Sequence, residues 1–344
     1  METTSHLSRL SRPRRIVLIV VLGSVCTIGP FSTDLYLPAL PTVATDLAAS
    51  SSSIALTVTT FLVGLALGQL LAGPLSDTYG RRLPLLVGLT VFTVASLVCA
   101  LTPSAGVLVA LRLVQGLAGA SGMAIANAVV TDYSRGRQAA RLLSRLALVS
   151  GLAPIIAPLV GAQLLRVTSW RGIFVVLTGL GIVLFSAVAL GLRESLPREQ
   201  RQAGGATRTL RTMGMLSRDL RFMGFASSSA LSFVAFFAYL AASSFVYQDL
   251  YGASPVFFSL LFAMNAIGML AVSQLNHRLL ARFTPRQLLG AGLAIGSLSG
   301  LAVLVVTLVG GLGVVALAVP LFVLVASLGF VFPDSTFSFV LEVV

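Results

Sequence analysis

The sequence predicts an all-α integral membrane fold with ten transmembrane helices. Of the 344 residues, 56% are hydrophobic and only 10% are charged, whereas soluble domains carry about 25% charged residues. The mean hydropathy is +0.98, and a soluble fold could not bury this much apolar surface. The third observation is a series of apolar runs, each close to the ~20 residues that a helix needs to cross the hydrocarbon core.

The ten apolar runs follow one another along the chain. They span residues 16–40, 53–75, 83–102, 105–131, 142–165, 170–192, 222–247, 255–276, 288–309 and 312–334. The connections are short, except for a polar segment that contains seven arginines. The predicted domains are therefore a tail (1–15), a six-helix N-terminal half (16–192), a basic linker (193–221) and an incomplete four-helix C-terminal half (222–344).

The arginines predict the orientation of these spans. All 23 basic residues are arginine, and they are scattered between apolar runs rather than gathered on one surface, which argues against nucleic-acid binding. When the loops are assigned alternately to two sides, 20 arginines fall on one side and two on the other. By the positive-inside rule, the N-terminal tail and the linker are expected in the cytoplasm.

Two ionisable residues lie inside predicted spans, where a charge is expensive and usually faces a partner or a wet cavity. Asp34 belongs to the first span and Arg112 to the fourth. From the helical rise, Asp34 lies about 27 Å from the inner face and Arg112 about 10 Å below the outer face. Both are thus expected in the outer half, with Asp34 shallower, and a tilt or a break near Pro30 would bring them level. The alternative is that one of them snorkels to the interface.

Helical periodicity groups small and polar residues around both charges. The stripe on the first helix contains Gly23, Thr27, Pro30, Asp34 and Pro38, and the stripe on the fourth contains Arg112, Gln115, Gly116, Gly119, Met123 and Asn127. Such stripes suit helices that line a cavity. Tight helix packing also favours small residues, although Arg112 and Gln115 argue against packing alone.

The fifth span carries Gly151, Pro154, Pro158 and Gly161 within one sector. Two prolines four residues apart remove two helical hydrogen bonds from one face. This pattern predicts either the bending point of a moving helix or a static kink.

The turn between the second and third spans combines glycine with charge. It runs from Gly73 to Arg82 and includes Asp77, Gly80 and Arg81. Glycine permits a tight turn. Asp77 ends a helix, where the dipole disfavours a carboxylate, so we expect a cationic partner. A purely structural turn is the alternative.

Elsewhere, Gly64-x-x-x-Gly68 and Gly296-x-x-x-Gly300 predict close helix packing.

These motifs resemble those of the major facilitator superfamily. The Gly73–Arg82 turn is similar to the signature loop of that superfamily, and Leu108-x-x-x-Arg112-x-x-Gln115-Gly116 is similar to its fourth-helix motif. The segment Ala153–Ala162 looks like the fifth-helix motif of antiporters. Its double-proline form is closest to the Bcr/CflA group of bacterial drug exporters, which the segments Phe31–Pro41, Ser169–Arg171, Val246–Gln248 and Asn265–Gly268 also resemble.

The resemblance implies a role for each matching residue. Asp34, Arg112 and Gln115 would couple protons to substrate. Gly73, Asp77, Gly80, Arg81 and Arg82 would form a cytoplasmic gating loop, and the segment from Gly151 to Gly161 would shape a moving helix. Further candidates for lining the cavity are Thr27, Tyr36, Met123, Asn127, Tyr239 and Asn265.

The sequence departs from the family pattern at three places. Thr78 stands where the loop motif usually has arginine, and Ala157 and Ala162 replace glycines of the general antiporter motif. The superfamily normally has twelve spans, whereas ten are predicted here. We therefore expect a major facilitator fold with an incomplete second half, truncated or frameshifted after about Asp334.

The function expected from the resemblance is proton-coupled efflux of drug-like molecules across the bacterial cytoplasmic (inner) membrane by alternating access, with substrate bound near the midplane. A carboxylate in a low-dielectric cavity can take up a proton near neutral pH, while Arg112 nearby would favour its charged form. A specific metabolite transporter and a non-transporting remnant are the alternatives.

An enzyme is not expected, because the sequence lacks a nucleophile–base pair, a metal-binding cluster and a phosphate-binding loop. We expect no cofactor, no metal and no nucleic-acid partner. The expected partners are a small-molecule substrate, protons and the lipid bilayer, and the protein is expected to act as a monomer.

Overall fold

The computed structural model describes residues 11–134, 136–201, 214–215 and 217–343. Part of the predicted tail (1–10), part of the predicted linker (202–213 and 216) and the last residue of the C-terminal half lie outside the described residues. Ten helical segments in the described part are long and apolar enough to cross a membrane. This confirms the prediction of an all-α membrane fold with ten spans.

Nine of the ten spans are single helices. They are Ser51–Tyr79, Arg82–Leu101, Ala105–Tyr133, Gly136–Val167, Trp170–Gly191, Leu220–Phe245, Pro255–Leu279, Pro285–Val309 and Val314–Val343. The seventh of the ten spans continues from Phe245 into a π-helical turn, Val246–Leu250. Short 3-10 turns occur at Leu37–Ala39 and at Arg198–Gln200.

The first span is broken into three helices, Arg12–Cys26, Ile28–Asp34 and Leu40–Asp46. Proline explains both breaks, because it has no N–H to donate to the carbonyl four residues earlier. Pro30 leaves the carbonyl of Cys26 without its helical donor, and the first helix ends at Cys26. Pro38 likewise leaves the carbonyl of Asp34 without its helical donor, and the second helix ends at Asp34. The break predicted near Pro30 is therefore present, and a second one follows Asp34.

The chain divides into two compact units, residues 1–210 and 211–344. In the first unit, the second and fourth spans pack with their backbones in close contact. A Cβ atom on Gly64 would collide with the carbonyl oxygen of Leu113, and one on Gly68 with that of Leu117. The predicted close packing of this glycine pair is thus realised against the fourth span.

The second unit contains the last four spans. A Cβ atom on Gly296 would lie 3.0 Å from the Ser327 hydroxyl and one on Gly300 would lie 3.7 Å from Leu324, both on the tenth span. A Cβ on Gly329 would lie 2.5 Å from the carbonyl oxygen of Met269 on the eighth span. The tenth span therefore packs against both the eighth and the ninth.

Candidate functional site

Asp34 sits where the first span is interrupted. Asp34 is only 5% exposed, and its carboxylate forms no hydrogen bond or ion pair with any of the described residues. The adjacent hydroxyls do not serve it, because Ser32 donates to the carbonyl of Ile28 at 2.6 Å and Thr33 to that of Gly29 at 3.2 Å. Asp34 is the only buried acid among the residues whose exposure the structure describes, which exclude residues 333–344.

Arg112 is fully buried and enclosed by aromatic rings. The centroids of Phe61, Tyr36 and Phe174 lie 4.2, 5.1 and 5.9 Å from the Arg112 guanidinium carbon. These rings come from the second, first and sixth spans. Desolvated cation–π contacts of this kind contribute about 2 kcal/mol each. The rings thus offset part of the cost of holding a charge inside the membrane; we call these three residues the aromatic cage.

Hydrogen bonds supplement the aromatic cage. The Arg112 Nη1 donates to Gln115 Oε1 at 2.6 Å, and Arg112 Nε lies 3.4 Å from the carbonyl oxygen of Thr57. Gln115 Nε2 in turn donates to the Ser96 hydroxyl at 2.7 Å. Within the described part of the chain, the Arg112 Nη2 has no hydrogen-bond partner. The site thus holds a cation through neutral groups and leaves one of its donors unsatisfied.

The structure does not join Asp34 and Arg112 as an ion pair. The first span runs to Asp46 and is interrupted between Asp34 and Leu40, so the helical rise does not give the depth of Asp34. Arg112 lies seven residues, about 10 Å, inside the fourth span, which begins at Ala105. The expected order of depth stays a prediction.

The fourth-span stripe divides into a packed part and an exposed part. Gly116 and Gly119 are buried, and a Cβ on Gly116 would collide with the carbonyl oxygen of Phe61. Met123 is partly exposed and Asn127 is exposed. Helix packing therefore accounts for the small residues of the stripe, whereas Arg112 and Gln115 belong to the buried polar cluster.

The fifth-span motif lies in one continuous helix. The helix Gly136–Val167 runs through both Pro154 and Pro158. A Cβ atom on Gly161 would collide with the carbonyl oxygen of Leu35, so this glycine packs directly against the interruption that follows Asp34. Gly151 is partly exposed. Whether the helix bends during function stays a prediction.

The loop between the second and third spans carries an ion-pair network. Arg81 Nη1 donates to Asp77 at 2.5 Å, which is the cationic partner that the sequence predicts. Arg81 Nε also donates to Asp132, at the end of the fourth span, at 3.0 Å, and Arg81 Nη1 contacts the Ser76 hydroxyl at 2.7 Å. Burial lowers the pKa of the Arg81 guanidinium, but its hydrogen bonds to Asp132 and Asp77 outweigh this and hold the pKa above its usual value.

Glu194 connects the start of the linker to this loop. Its carboxylate accepts the backbone N–H groups of Arg81 at 2.8 Å and Arg82 at 3.2 Å, where the third span begins and a negative charge is favoured. The neighbouring Ser195 hydroxyl donates to Asp132 at 2.7 Å. The Arg82 Nη2 donates to the carbonyl of Ala189 at 2.5 Å. The loop therefore ties together the second, third, fourth and sixth spans.

A second polar cluster lies at the opposite end of the third and sixth spans. Asp46 accepts a hydrogen bond from Trp170 Nε1 at 2.9 Å and forms an ion pair with Arg171. Arg171 also donates to the carbonyl of Thr102 at 3.2 Å and covers the Trp170 ring at 4.2 Å. This cluster joins the ends of the first and third spans to the start of the sixth.

The remaining cavity candidates fall in different places. Tyr239 and Asn265 meet in the second unit, where Asn265 Nδ2 donates to the Tyr239 hydroxyl at 2.6 Å and both residues are buried. Tyr36 belongs to the aromatic cage. Thr27 lies at the first break of the first span and donates to the carbonyl of Ser24 at 2.7 Å. Gly73 has open space around it.

Sequence reasoning missed several residues of these clusters. Those around Arg112 are Ser96, Thr57, Phe61 and Phe174, and those of the loop are Asp132, Glu194 and Ser195. Asp132 and Glu194 carried a usable signal, because they are among the few acids on the arginine-rich side. An apolar Phe in a span carries no such signal.

The fold and these clusters define a multi-pass secondary transporter. The Major Facilitator Superfamily profile matches residues 17–342, and the chain belongs to that superfamily. It is 36% identical over 330 residues to the uncharacterized MFS-type transporter YdgK of Bacillus subtilis (strain 168), covering 95% of this chain and 82% of that protein.

Two further comparisons agree with this assignment. The chain is 32% identical to a bicyclomycin resistance protein homolog of Haemophilus influenzae, over 83% of this chain and 72% of that one. A crystal structure of the nucleoside transporter NupG superposes with a TM-score of 0.76 at 14% identity, covering 96% of this chain and 83% of that one. The first supports the Bcr/CflA resemblance of the motifs, and the second shows the fold. The family consists of transporters, so the expectation of a non-enzyme is confirmed.

Proposed function

We propose that this protein exports drug-like small molecules across the bacterial cytoplasmic membrane in exchange for protons, by alternating access. The observation that carries the proposal is Asp34, a buried carboxylate inside a span with no donor or cation among the described residues. An ionisable group in such a place is a functional site by default, because an unpaired charge there is costly.

Asp34 has the chemistry that exchange requires. Its carboxylate either takes up a proton, which removes the charge, or stays ionised against a substrate that supplies a cation or a donor. Proton and substrate then compete for one group, so binding of one favours release of the other. Arg112 supplies the buried cation of the proposed site and forms no ion pair with a described residue.

The other clusters supply the parts of an alternating-access cycle. The Arg81 network ties four spans together on the arginine-rich side, which by the positive-inside rule is cytoplasmic. Its ion pairs and hydrogen bonds, which Arg81 makes from a buried position, must be broken before the spans can separate there. The Asp46–Trp170–Arg171 cluster joins the first, third and sixth spans at the other end. The name of the Haemophilus influenzae relative supports a drug as substrate.

The test is transport by inside-out membrane vesicles from a bacterial strain that lacks its own exporters. With an acidic lumen, the parent protein is expected to accumulate bicyclomycin or ethidium, and collapse of the pH gradient should release the accumulated compound. Asp34→Asn, which cannot ionise, should reduce gradient-driven accumulation to background, and Arg112→Ala should do the same because the buried polar cluster loses its cation.

Asp249→Asn is the matched control, since Asp249 is an exposed carboxylate at the end of the seventh span. It should transport like the parent. If Asp34→Asn and Arg112→Ala retain parental, gradient-dependent accumulation, the assigned coupling site is wrong. If the parent accumulates neither compound while a metabolite exchanges with protons, the substrate class is wrong and a metabolite transporter takes its place.

A further inference from the structure

The third span contributes one polar side chain to the buried cluster around Arg112. Ser96 is fully buried, and so are Gln115 and Arg112. The three residues form a continuous series of hydrogen bonds, because Arg112 donates to Gln115 at 2.6 Å and Gln115 donates to Ser96 at 2.7 Å. Ser96 contacts neither Arg112 nor Asp34 through a hydrogen bond in the described residues, so any effect on them passes through Gln115.

Ser96 fixes which way the Gln115 amide points. The Ser96 hydroxyl donates its only proton to the carbonyl of Phe92 at 2.7 Å, so only its lone pairs face Gln115. A lone pair can accept from the Gln115 NH₂ group but cannot serve the Gln115 oxygen. The amide oxygen is consequently directed to the other end, where the Arg112 guanidinium, which has only donors, requires an acceptor.

The reversed amide would place donor against donor. With the NH₂ group of Gln115 facing Arg112 Nη1, the guanidinium would lose its acceptor inside a low-dielectric span, where no water replaces it. The Arg112 Nη2 already has no partner among the described residues. The aromatic cage attracts the cation but does not fix its rotation, because ring contacts tolerate a range of angles.

We propose that Ser96 is a positioning residue that orients Gln115 and thereby holds the Arg112 guanidinium in one place. The inference rests on the proposed function, in which exchange requires the buried cation of Arg112. Ser96 thus affects the rate of exchange without touching proton or substrate.

The first test compares Ser96→Ala, Ser96→Thr and the parent in the vesicle assay with an acidic lumen and ethidium. Ser96→Ala should lower the maximal rate about tenfold, with KM within about twofold of the parent, because the substrate site itself is unchanged. Ser96→Thr retains the hydroxyl and should restore most of the rate. A Ser96→Ala variant with parental kinetics, or a Ser96→Thr variant as slow as Ser96→Ala, overturns the inference.

Ser121→Ala is the matched control. Ser121 is a buried serine on the same helix as Arg112, and its hydroxyl donates to the carbonyl of Ala118 at 2.7 Å. Its loss should leave the rate close to that of the parent. An equal loss in Ser121→Ala and Ser96→Ala would show that any buried serine matters for packing, and the positioning role would be rejected.

A second measurement does not depend on transport. The full chain is labelled with ¹⁵N-arginine in lipid nanodiscs, and the Arg112 side-chain signals are assigned by their loss in Arg112→Lys. They should be sharp in the parent and in Ser96→Thr, and broadened or shifted in Ser96→Ala. Unchanged signals in Ser96→Ala would refute the positioning role, whereas a parent with the expected signals but no exchange would refute only the proposed function.

Discussion

At the scale of single residues, Arg112 shows how a membrane protein holds a buried charge without a carboxylate. A buried guanidinium normally needs an anion, yet its closest groups here are three rings, an amide oxygen and a backbone carbonyl. The cation is therefore held by groups that carry no charge. In the exchange proposed here, Asp34 takes up and releases the proton, and none of the groups around Arg112 has to change its charge with it.

Gly80 lies in the loop between the second and third spans, and its backbone conformation excludes residues other than glycine. Its φ is +92° and its ψ is 165°, a region that is essentially restricted to glycine. A Cβ atom there would lie 2.5 Å from Glu194 Oε2 and 2.7 Å from Arg201 Nη2. The close approach of the backbone allows Glu194 to accept the N–H groups of Arg81 and Arg82.

Gly80→Ala should therefore destabilise the protein and loosen the loop. Backbone strain of this kind costs about 1–3 kcal/mol, so we expect a lower apparent melting temperature in detergent. Gly73→Ala is the control, because Gly73 lies in a helix and a Cβ there meets nothing within 4 Å. A Gly80→Ala protein as stable as Gly73→Ala would contradict the strained-turn interpretation.

At the scale of elements, the packing of the second and fourth spans supports the buried cluster. Gly116 brings the fourth helix so close to the second that a Cβ would strike the carbonyl of Phe61. Phe61 is the ring nearest to Arg112, at 4.2 Å. The glycine contact and the cation–π contact therefore depend on the same helix separation.

Gly116→Ala should force these two helices apart. Overpacking of a tight contact costs about 1–3 kcal/mol, and the Phe61 ring should withdraw from Arg112, so both the thermal stability and the rate of exchange should fall. Gly179→Ala is the control, since a Cβ at this position in the sixth span meets nothing within 4 Å. Equal melting temperatures for the two variants would show that the helices can separate without cost.

The sequence predicted elements more completely than it predicted contacts. Hydropathy found all ten spans because each must be long enough to cross the membrane. Pro30 indicated only the first of the two breaks in the first span, and only as an alternative to a tilt. The Gly64–Gly68 pair predicted close packing without naming the partner helix. The aromatic cage could not be predicted, because each of the 20 phenylalanines is compatible with a position facing lipid. Only the fold brings Phe61 and Phe174 to Arg112.

The ion-pair network at the loop between the second and third spans shows the same limit for charged residues. The helix dipole predicted a cationic partner for Asp77, and Arg81 provides it. Asp132 and Glu194 lie 51 and 113 residues from Arg81 in sequence, and no local rule relates residues so far apart. Long-range pairing of this kind becomes visible only when the positions of the spans are known.

At the scale of the whole molecule, the distribution of arginine divides the loops into two classes. Of 23 arginines, 20 fall on the side of the N-terminal tail and linker and two on the other. The Arg81 network lies on the arginine-rich side and the Asp46–Trp170–Arg171 cluster on the arginine-poor side. The direction of transport therefore depends on which side faces the cytoplasm. By the positive-inside rule, the arginine-rich side is the cytoplasmic one.

Cysteine labelling tests this orientation directly. Cys26 and Cys99 are both buried, so the parent protein should not react with a membrane-impermeant maleimide. Ser169 and Ser217 are exposed residues in loops of opposite class. In intact spheroplasts, Ser169→Cys should be labelled and Ser217→Cys should be protected, and in inside-out vesicles the two results should exchange. Labelling of Ser217→Cys alone in spheroplasts would invert the topology. It would also place the Arg81 network outside the cell, so that the exchange proposed here would have to run as uptake.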